Sequence, residues 1–212
     1  MQYLKDVRVT EKAMLRFHAG TIGEKDVVAL YSGVCKVNAA IAAQLLIDLF
    51  SVDVIVNAGV AGGMDPRVRI FDTVIAEKAI YHDVEEDILT DFHPWMRTAY
   101  FETAPWLVGI AKDCSAKAGR RIFFGTMVTG ERFIDNAARD DICRRFSPLS
   151  ADMETAAIAH VCHVNGVPFL AVRTITDTAE YDGEAHFEEN CEKASQIAAE
   201  ITVEIVERLP EP

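Results

Sequence analysis

Apolar residues along the chain fall into two patterns, which predict two kinds of element. Val52–Asn57 and Val167–Thr174 are short and mostly apolar runs, the pattern of strands that are buried on both faces of a sheet. Elsewhere apolar residues recur every three or four positions, as in helices with one buried face. A helix that opens at Ser32-Gly33 is indicated by the spacing of Val37, Ala40, Ala43, Leu46 and Leu49. Strands that alternate with helices predict an α/β layer domain with a mixed or mainly parallel sheet.

The same two patterns predict the other elements. Further strands are expected at Met14–Ala19, Val27–Ser32, Asp72–Ala76 and Ile122–Val128, with a hairpin-like turn over Gly20–Lys25. Further helices are expected at Pro105–Ala118, from Asp152 or Met153 to about Val164, and at Phe187–Leu209. No repeat, low-complexity tract or linker interrupts the chain, so residues 1–212 are predicted to form one domain.

Composition and charge narrow the class of partner. The chain of 212 residues has a formal net charge of −12 and no cluster of Lys or Arg, which argues against DNA, RNA or an anionic membrane as partners. Its five cysteines form no Cys-x-x-Cys pair, a usage typical of a reducing cytoplasm. No apolar run opens the chain as in a signal peptide, and none is long enough to span a membrane. We therefore expect a soluble cytoplasmic protein.

Two carboxylates occupy positions where α/β folds bind ligands. Glu154 lies at the start of a predicted helix, and Asp177 lies just past a predicted strand. Strand ends and helix starts line the ligand crevice of open α/β sheets, so these two residues suit sugar binding and proton transfer. Each also has a purely structural interpretation, because Glu154 could stabilise its helix dipole and Asp177 could cap a helix or a turn. The residues by themselves leave both interpretations open.

Glycine, aromatic and histidine positions give further candidates. Gly59–Gly63 follows a buried strand, where it would form a tight turn or let a ligand approach the backbone. It matches neither the Gly-x-Gly-x-x-Gly fingerprint nor a P-loop. Phe133 and Ile134 lie in a Gly-flanked loop, where packing in the core competes with contact to a ligand. His160 and His163 have no evident third ligand, so we expect them to be surface and core packing residues and not a metal site.

Four segments of the chain carry a family resemblance, namely Asn57–Gly63, Gly125–Ile134, Asp152–His160 and Val172–Asp177. They resemble the 5′-methylthioadenosine/S-adenosylhomocysteine nucleosidases of the purine nucleoside phosphorylase superfamily, and the similarity runs from about residue 15 to the C-terminus. The resemblance implies a three-layer αβα sandwich with a central mixed sheet, and a homodimer. It further implies a small nucleoside as substrate, whose N-glycosidic bond is hydrolysed to give adenine and the thioribose, without a cofactor.

The resemblance also implies roles for individual residues. Asp177 is expected to protonate N7 of the purine with Thr176 in the same hydrogen-bond network, and Glu154 is expected to hold the ribose hydroxyls. Phe133 is expected to stack on adenine, while the backbone of Ile134 reads the purine edge. Other substrate-binding residues are implied around the sugar, the base and the 5′ substituent: Val34, Gly59, Val60, Met153, Arg173 and Phe187. The family commonly has a serine where Val60 stands.

The sequence departs from the family pattern at its beginning. The family opens with an apolar strand and a Gly-Ala-Met-Glu loop, in which one glutamate activates the attacking water. This sequence begins at Met1-Gln2-Tyr3-Leu4, where the family is already inside the following helix. Either the translation start lies upstream, or the chain is a truncated homologue that binds nucleosides and hydrolyses them poorly. We expect the first, because loss of a central strand exposes sheet edges.

Three other functions remain open on the sequence. Phosphorolysis of a purine nucleoside would need several basic residues around a phosphate, and Arg173 alone is too little. An enzyme acting on aminofutalosine or AMP would share the residues named above and differ at the 5′ group, near which Val84–Leu89 departs from the family pattern. A nucleoside-binding protein without catalytic activity is the alternative from another class.

Overall fold

The computed structural model describes residues 2–92, 96–115, 120–134, 136–178 and 183–211. Within these ranges the chain forms a small antiparallel sheet near its start and a larger mixed sheet that is flanked by helices. The predicted fold class, an α/β protein with a central mixed sheet, is therefore confirmed. None of the helices in the described ranges combines the length and the apolar character that crossing a membrane requires.

The small sheet is antiparallel and contains β1 (Lys5–Lys12), β2 (Leu15–Ile22) and β3 (Lys25–Ala29). The apolar pattern does not predict β1, because this strand is rich in charged residues and exposed along its whole length. The predicted turn over Gly20–Lys25 is wrong in extent, since only Gly23 and Glu24 separate β2 from β3. Gly23 has a φ of 58°, a left-handed conformation that glycine adopts without strain.

The large sheet contains β4 (Ile55–Gly63), β5 (Thr73–Tyr81), β6 (Phe101–Glu102), β7 (Ile122–Thr129), β8 (Ser150–Asp152) and β9 (Phe169–Asp177). The strand order is β6-β5-β7-β8-β4-β9, and β9 also pairs with β5, so that the sheet curls back on itself. The β4–β9, β5–β7 and β7–β8 pairs are parallel, and the remaining pairs are antiparallel. Parallel pairing aligns the carboxyl ends of β4 and β9 at one edge of the sheet.

The described residues form the helices α1 (Lys36–Phe50), α2 (Glu86–Asp91), α3 (Pro105–Ser115), α4 (Asn136–Phe146), α5 (Thr155–Asn165) and α6 (Gly183–Val206). Of these, α3, α5 and α6 pack on strands of the large sheet, and α1 packs on α5. Alternate residues of β9 point into opposite layers: Leu170 and Val172 pack with α3 and α6, whereas Phe169 and Ala171 join the core that contains α1 and α5. Burial on both faces explains why β9 is nearly continuously apolar.

The sequence pattern does not predict α4 or β8. Among the α4 residues whose burial is described, Ile142 and Phe146 are apolar and buried, and most of the helix is polar, so its apolar spacing is sparse. The strand β8 has three residues, too few to show a period of two.

Several predicted boundaries differ from those observed. The helix predicted to open at Ser32-Gly33 begins at Lys36, and α5 begins at Thr155 because Asp152 belongs to β8. The C-terminal helix begins at Gly183, before Phe187, and ends at Val206. Of the helix predicted at Pro105–Ala118, residues 105–115 form α3, and the rest lies outside the described residues.

A cavity of about 2350 Å³ runs beside β4. From Ile55 to Gly62 this strand is paired with β9, whereas its pairing with β8 covers Gly62 and Gly63 only. Residues of β3, α1 and α6 line the cavity together with β4. The cavity continues to the carboxyl ends of β4 and β9, where the predicted site residues lie.

Candidate active site

The candidate site lies where β4 and β9 end and α5 begins. The register of the two strands places Gly59 opposite Arg173 and Gly62 opposite Asp177. Glu154 occupies the N-cap position of α5. All of these residues line the large cavity. The crevice outside the strand ends therefore brings both predicted carboxylates to one space, as expected of an α/β sheet.

Glu154 is held by two donors and makes no capping hydrogen bond to its own helix. Arg173 Nη2 lies 3.2 Å from Glu154 Oε2, and the backbone N–H of Cys35 donates to Oε1 at 3.0 Å. The Glu154 side chain is only 14% exposed. Burial raises the pKa of this carboxyl, although the attraction of Arg173 opposes that shift. The carboxylate is thus oriented towards the cavity, and the interpretation of Glu154 as only a helix-dipole acid does not account for these contacts.

Arg173 is fixed mainly by Asp152, which sequence reasoning did not identify as a site residue. Arg173 Nε lies 2.8 Å from Asp152 Oδ2, and both side chains are buried. Asp152 Oδ1 also accepts from Thr129 Oγ1 at 2.6 Å and from the backbone N–H of Thr155 at 3.1 Å. An aspartate shortly before a helix is a known capping signal, so its helix-capping role could have been found in the sequence. Its pairing with Arg173 could not.

The glycines of Gly59–Gly63 belong to β4, so of the two interpretations of this segment the tight turn is wrong. Gly59 and Gly62 pair with polar residues of β9, with a register shift just before Gly62, and Gly63 pairs with β8. A Cβ on Gly59 would lie 2.5 Å from Arg173 Nη1, and one on Gly62 would lie 3.0 Å from Asp177 Oδ2. These two glycines therefore make room for the polar site residues.

Asp177 is the last residue of β9 and is 8% exposed. Thr176 Oγ1 donates to Asp177 Oδ1 across 2.8 Å and also lies 3.3 Å from the carbonyl oxygen of Ala61. The side-chain amide of Asn190 on α6 donates to the carbonyl oxygen of Thr176 at 2.9 Å. The structure therefore brings Thr176 and Asp177 together at the strand end, with the carboxyl group beside the cavity.

Phe133 and Ile134 lie in the loop between β7 and α4 and also line the cavity. Phe133 is 57% exposed, so it is not a core residue, whereas Ile134 packs partly against the core. The Phe133 ring meets Phe187 of α6 edge to face, with 5.7 Å between the ring centroids. An aromatic pair at a cavity wall, one ring exposed and the other half-buried, offers a planar ligand both a face and an edge.

The remaining predicted residues surround the same space. Val34 precedes α1 and is about half exposed, while Met153 immediately precedes Glu154, and both line the cavity. Val60 lines it too, and its carbonyl oxygen accepts from Arg173 Nη1 at 3.2 Å. Because its N–H groups are bound by Asp152, Glu154 and Val60, Arg173 mainly positions protein groups.

Across the described ranges, no group of three or more His, Cys, Asp or Glu side chains is arranged to hold a metal ion. His160 Nδ1 lies 3.3 Å from Tyr81 Oη, and the His160 ring stacks on Phe101 with 4.8 Å between centroids. His163 meets Phe101 at an angle. Both histidines are therefore aromatic packing residues in this structure.

Comparison with known proteins agrees with this geometry. Residues 2–207 match the family model described as the Phosphorylase superfamily. The 5′-methylthioadenosine/S-adenosylhomocysteine nucleosidase of Halalkalibacterium halodurans is 37% identical over 202 residues, which are 93% of this chain and 87% of that protein. The enzyme of the same name from Chromohalobacter salexigens is 35% identical, over 98% of this chain and 90% of its own length.

Solved structures give the same result. The S-adenosylhomocysteine nucleosidase of Streptococcus pyogenes, in complex with 5-methylthiotubericidin, superposes with a TM-score of 0.91 at 28% identity, over 99% of this chain and 91% of that one. Futalosine hydrolase of Helicobacter pylori has a TM-score of 0.90 at 25% identity, with coverage of 98% and 91%. The chain therefore belongs to the Phosphorylase superfamily and, within it, to the 5′-methylthioadenosine/S-adenosylhomocysteine nucleosidase family.

Proposed function

We propose that the protein hydrolyses the N-glycosidic bond of 5′-methylthioadenosine and S-adenosylhomocysteine, releasing adenine and the thioribose. The observation that carries this proposal is the placement of two carboxylates, Glu154 and Asp177, beside one cavity whose wall also holds an exposed aromatic ring. The curated relatives bear the name of this activity. Solved relatives were crystallised with nucleoside analogues, which supports a nucleoside as ligand.

Glu154 is proposed to bind the sugar. As a carboxylate it accepts hydrogen bonds from both hydroxyls of a vicinal diol, the geometry that a ribose presents. Arg173 and the Cys35 amide orient it before the substrate arrives. When the glycosidic bond breaks, positive charge develops on the sugar, and a fixed carboxylate nearby stabilises that charge. Met153, the neighbouring residue, is proposed to pack on the sugar.

Asp177 is proposed to protonate the base. Cleavage leaves the bonding electron pair on adenine, and a proton delivered to N7 turns adenine into a neutral leaving group. Thr176 donates to Asp177 Oδ1 and so orients the carboxyl group that is proposed to carry the proton. Water then adds to the anomeric carbon and releases one proton to solvent, and Asp177 takes up one proton in its place, which completes the hydrolysis.

The apolar residues at the cavity wall are proposed to hold the base and close the site. Phe133 stacks on adenine, the backbone of Ile134 contacts the purine edge, and Phe187 covers the ribose and the 5′ substituent. The edge-to-face contact of Phe133 with Phe187 supports this arrangement, because it joins the base loop to α6 at the cavity wall. Val34, Gly59 and Val60 are proposed as further parts of the wall.

A cytoplasmic homodimer made of one domain per chain completes the proposal. Free thiols throughout the described residues fit a reducing compartment. Val37 and Ile41 on α1 and Val164 at the end of α5 are exposed although these helices pack together, which supports an association surface. Light scattering is expected to give about twice the chain mass of 23.4 kDa, and a mass of one chain would contradict the dimer.

The test is adenine release in phosphate-free buffer, followed by chromatography. Wild type is expected to release adenine from both nucleosides, and Asp177→Asn is expected to lower kcat by about 10²–10⁴-fold, the range for loss of a general acid. Asp53→Asn is the matched control, because Asp53 is exposed and lines the same cavity at the amino end of β4. Its rate should equal that of wild type.

Three outcomes would contradict the proposal in different ways. Release that requires added phosphate would indicate a phosphorylase. Saturable nucleoside binding without release would indicate a binding protein. Equal rates for the Asp177 and Asp53 variants would mean that Asp177 is not the acid.

A further inference from the structure

Three charged residues outside the substrate-binding set join the base side of the site to its sugar side. They are Lys36 at the start of α1, Asp83 just after β5, and Glu131 in the loop after β7. We propose that this trio, the loop clamp, positions the base-binding loop Gly130–Ile134 and thereby sets the affinity for the purine. The inference rests on the proposed function and assigns to it three positioning residues.

The loop clamp is a closed set of hydrogen bonds between distant parts of the chain. Lys36 Nζ lies 2.9 and 3.0 Å from the two carboxyl oxygens of Asp83. The backbone N–H of Glu131 donates to Asp83 Oδ2 at 3.1 Å, and the backbone N–H of Lys36 donates to Glu131 Oε1 at 3.1 Å. Each of the three residues is therefore bound to both of the others.

The ion pair in the loop clamp is partly withdrawn from water. The side chains of Lys36 and Asp83 are 20% and 31% exposed, whereas the pair between Lys112 and Glu77 is 54% and 45% exposed. Exposed pairs contribute little because water and salt screen them. Asp83 also receives a backbone N–H, so its charge is satisfied by two donors of different kinds. The loop clamp should therefore contribute more than an ordinary surface ion pair.

The same turn of α1 reaches the sugar side. The backbone N–H of Cys35 binds Glu154, and the next N–H, that of Lys36, binds Glu131. The loop is also anchored one residue earlier, where the N–H of Gly130 donates to the carbonyl oxygen of Asp152 at 3.1 Å. Two adjacent amides at the start of one helix thus fix the sugar carboxylate and the base loop relative to each other.

The loop clamp determines the positions of Phe133 and Ile134, which lie two and three residues after Glu131. Phe133 is mostly exposed and packs edge to face on Phe187, so its own burial contributes little to its position. If the loop clamp opens, the ring that stacks on the base loses its fixed place, while Glu154 and Asp177 keep their own contacts. Purine affinity should then fall much more than the rate of the chemical step.

The test compares Lys36→Met with Lys112→Met, the same change in the exposed ion pair. Adenine affinity is measured by calorimetry, and kcat and KM for 5′-methylthioadenosine by adenine release. For Lys36→Met we expect a roughly tenfold weaker adenine affinity and a roughly tenfold higher KM, with kcat within about threefold, the scale of one lost charged hydrogen bond. Asp83→Asn should act in the same direction, Lys36→Arg should restore most of the affinity, and Lys112→Met should leave all three values unchanged.

Two results would overturn the loop clamp. One is unchanged adenine affinity in Lys36→Met and Asp83→Asn, provided that thermal unfolding shows both to be folded. The other is a fall in kcat without a change in adenine affinity, which would place the effect on the sugar side. Calorimetry needs no turnover. If the wild-type protein binds adenine but does not cleave it from 5′-methylthioadenosine, the proposed function is contradicted, and the adenine affinities of the variants still decide whether the loop clamp is correct.

Discussion

The sugar side and the base side of the site are held in different ways. On the sugar side, Glu154 is buried and is bound by Arg173, which Asp152 fixes in turn. On the base side, Phe133 is mostly exposed, and its loop is anchored by groups at the protein surface. Charge stabilisation requires groups that are fixed before the reaction, whereas a loop over the base must open to let adenine leave. The buried carboxylates therefore suit the chemical step, and the exposed loop suits entry and release of the base.

The largest effect in this comparison is expected from Glu154→Gln. The amide keeps the shape of the side chain but removes the charge that stabilises the developing cation, so kcat/KM should fall by about 10²-fold. Glu204→Gln is the matched control. Glu204 lies on α6, away from the site, and it also pairs with an arginine, Arg120. Steady-state adenine release measures both, and equal values for the two variants would contradict the role of Glu154.

A smaller effect is expected from Gly59→Ala. The added methyl would lie 2.5 Å from Arg173 Nη1, so Arg173 must move although Asp152 and Glu154 hold it. We expect the free energy of unfolding to fall by about 1–3 kcal/mol, the scale of a disturbed buried hydrogen bond, and KM to rise. Urea unfolding and steady-state kinetics measure the two changes.

Gly109→Ala provides the control for Gly59→Ala. Gly109 lies within α3, and a Cβ there meets no atom within 4 Å. Alanine should stabilise this helix by up to about 1 kcal/mol. If Gly59→Ala were equally harmless, the close approach of Arg173 would not be the reason for a glycine at position 59.

Much of this architecture could be predicted from the sequence because it depends on local patterns. Val167–Thr174 is mostly apolar because β9 is buried on both faces, and the pattern shows this directly. Val52–Asn57 shows the same pattern, but β4 begins at Ile55 and is buried at no more than every second residue, since it borders the cavity. The positions of Glu154 and Asp177 follow from the same elements, because strand ends and helix starts meet at one edge of a sheet. The roles of both residues came from the resemblance and from chemistry, and they remain predictions.

What could not be predicted depends on contacts between distant residues. The Cys35 amide and Glu154 are 119 residues apart, and the Lys36 amide and Glu131 are 95 apart. No local spacing indicates such pairs, and the glycines of β4 suggested a turn because the side chains they accommodate lie on another strand. The helix α4 was missed for a different reason, since few of its residues are apolar and buried.

A smaller effect than that of Gly59→Ala is expected from Cys35→Gly, which tests the backbone that holds Glu154. Cys35 has a φ of 77° and a ψ of 164°, a region that is nearly restricted to glycine. Replacement by glycine keeps the N–H that binds Glu154 and should relieve strain, raising the free energy of unfolding by about 1 kcal/mol. Cys35→Ala keeps the strain, so thermal unfolding should show no such gain; equal gains for both variants would assign the effect to the thiol.

The smallest effect is a pH dependence. Burial raises the pKa of Glu154 above its value in the unfolded chain. The folded protein therefore binds a proton more tightly, and this contribution is fully present below the unfolded pKa and is lost as pH rises through the folded pKa. Across that interval the free energy of unfolding of wild type should decline relative to Glu154→Gln. Urea unfolding at several pH values measures this difference in the free energy of unfolding. If wild type became more stable relative to Glu154→Gln as pH rises, the predicted direction would be contradicted.

The most direct test of the division between the two sides is calorimetry with two ligands, adenine and a non-hydrolysable methylthio-nucleoside analogue. The wild-type protein is compared with Glu154→Gln. If Glu154 acts on the sugar alone, the substitution changes adenine affinity by no more than about twofold. It lowers the affinity for the nucleoside analogue by roughly tenfold, the scale of one lost charged hydrogen bond. Equal weakening of both ligands would contradict the account, because Glu154 would then support the whole pocket and not the sugar.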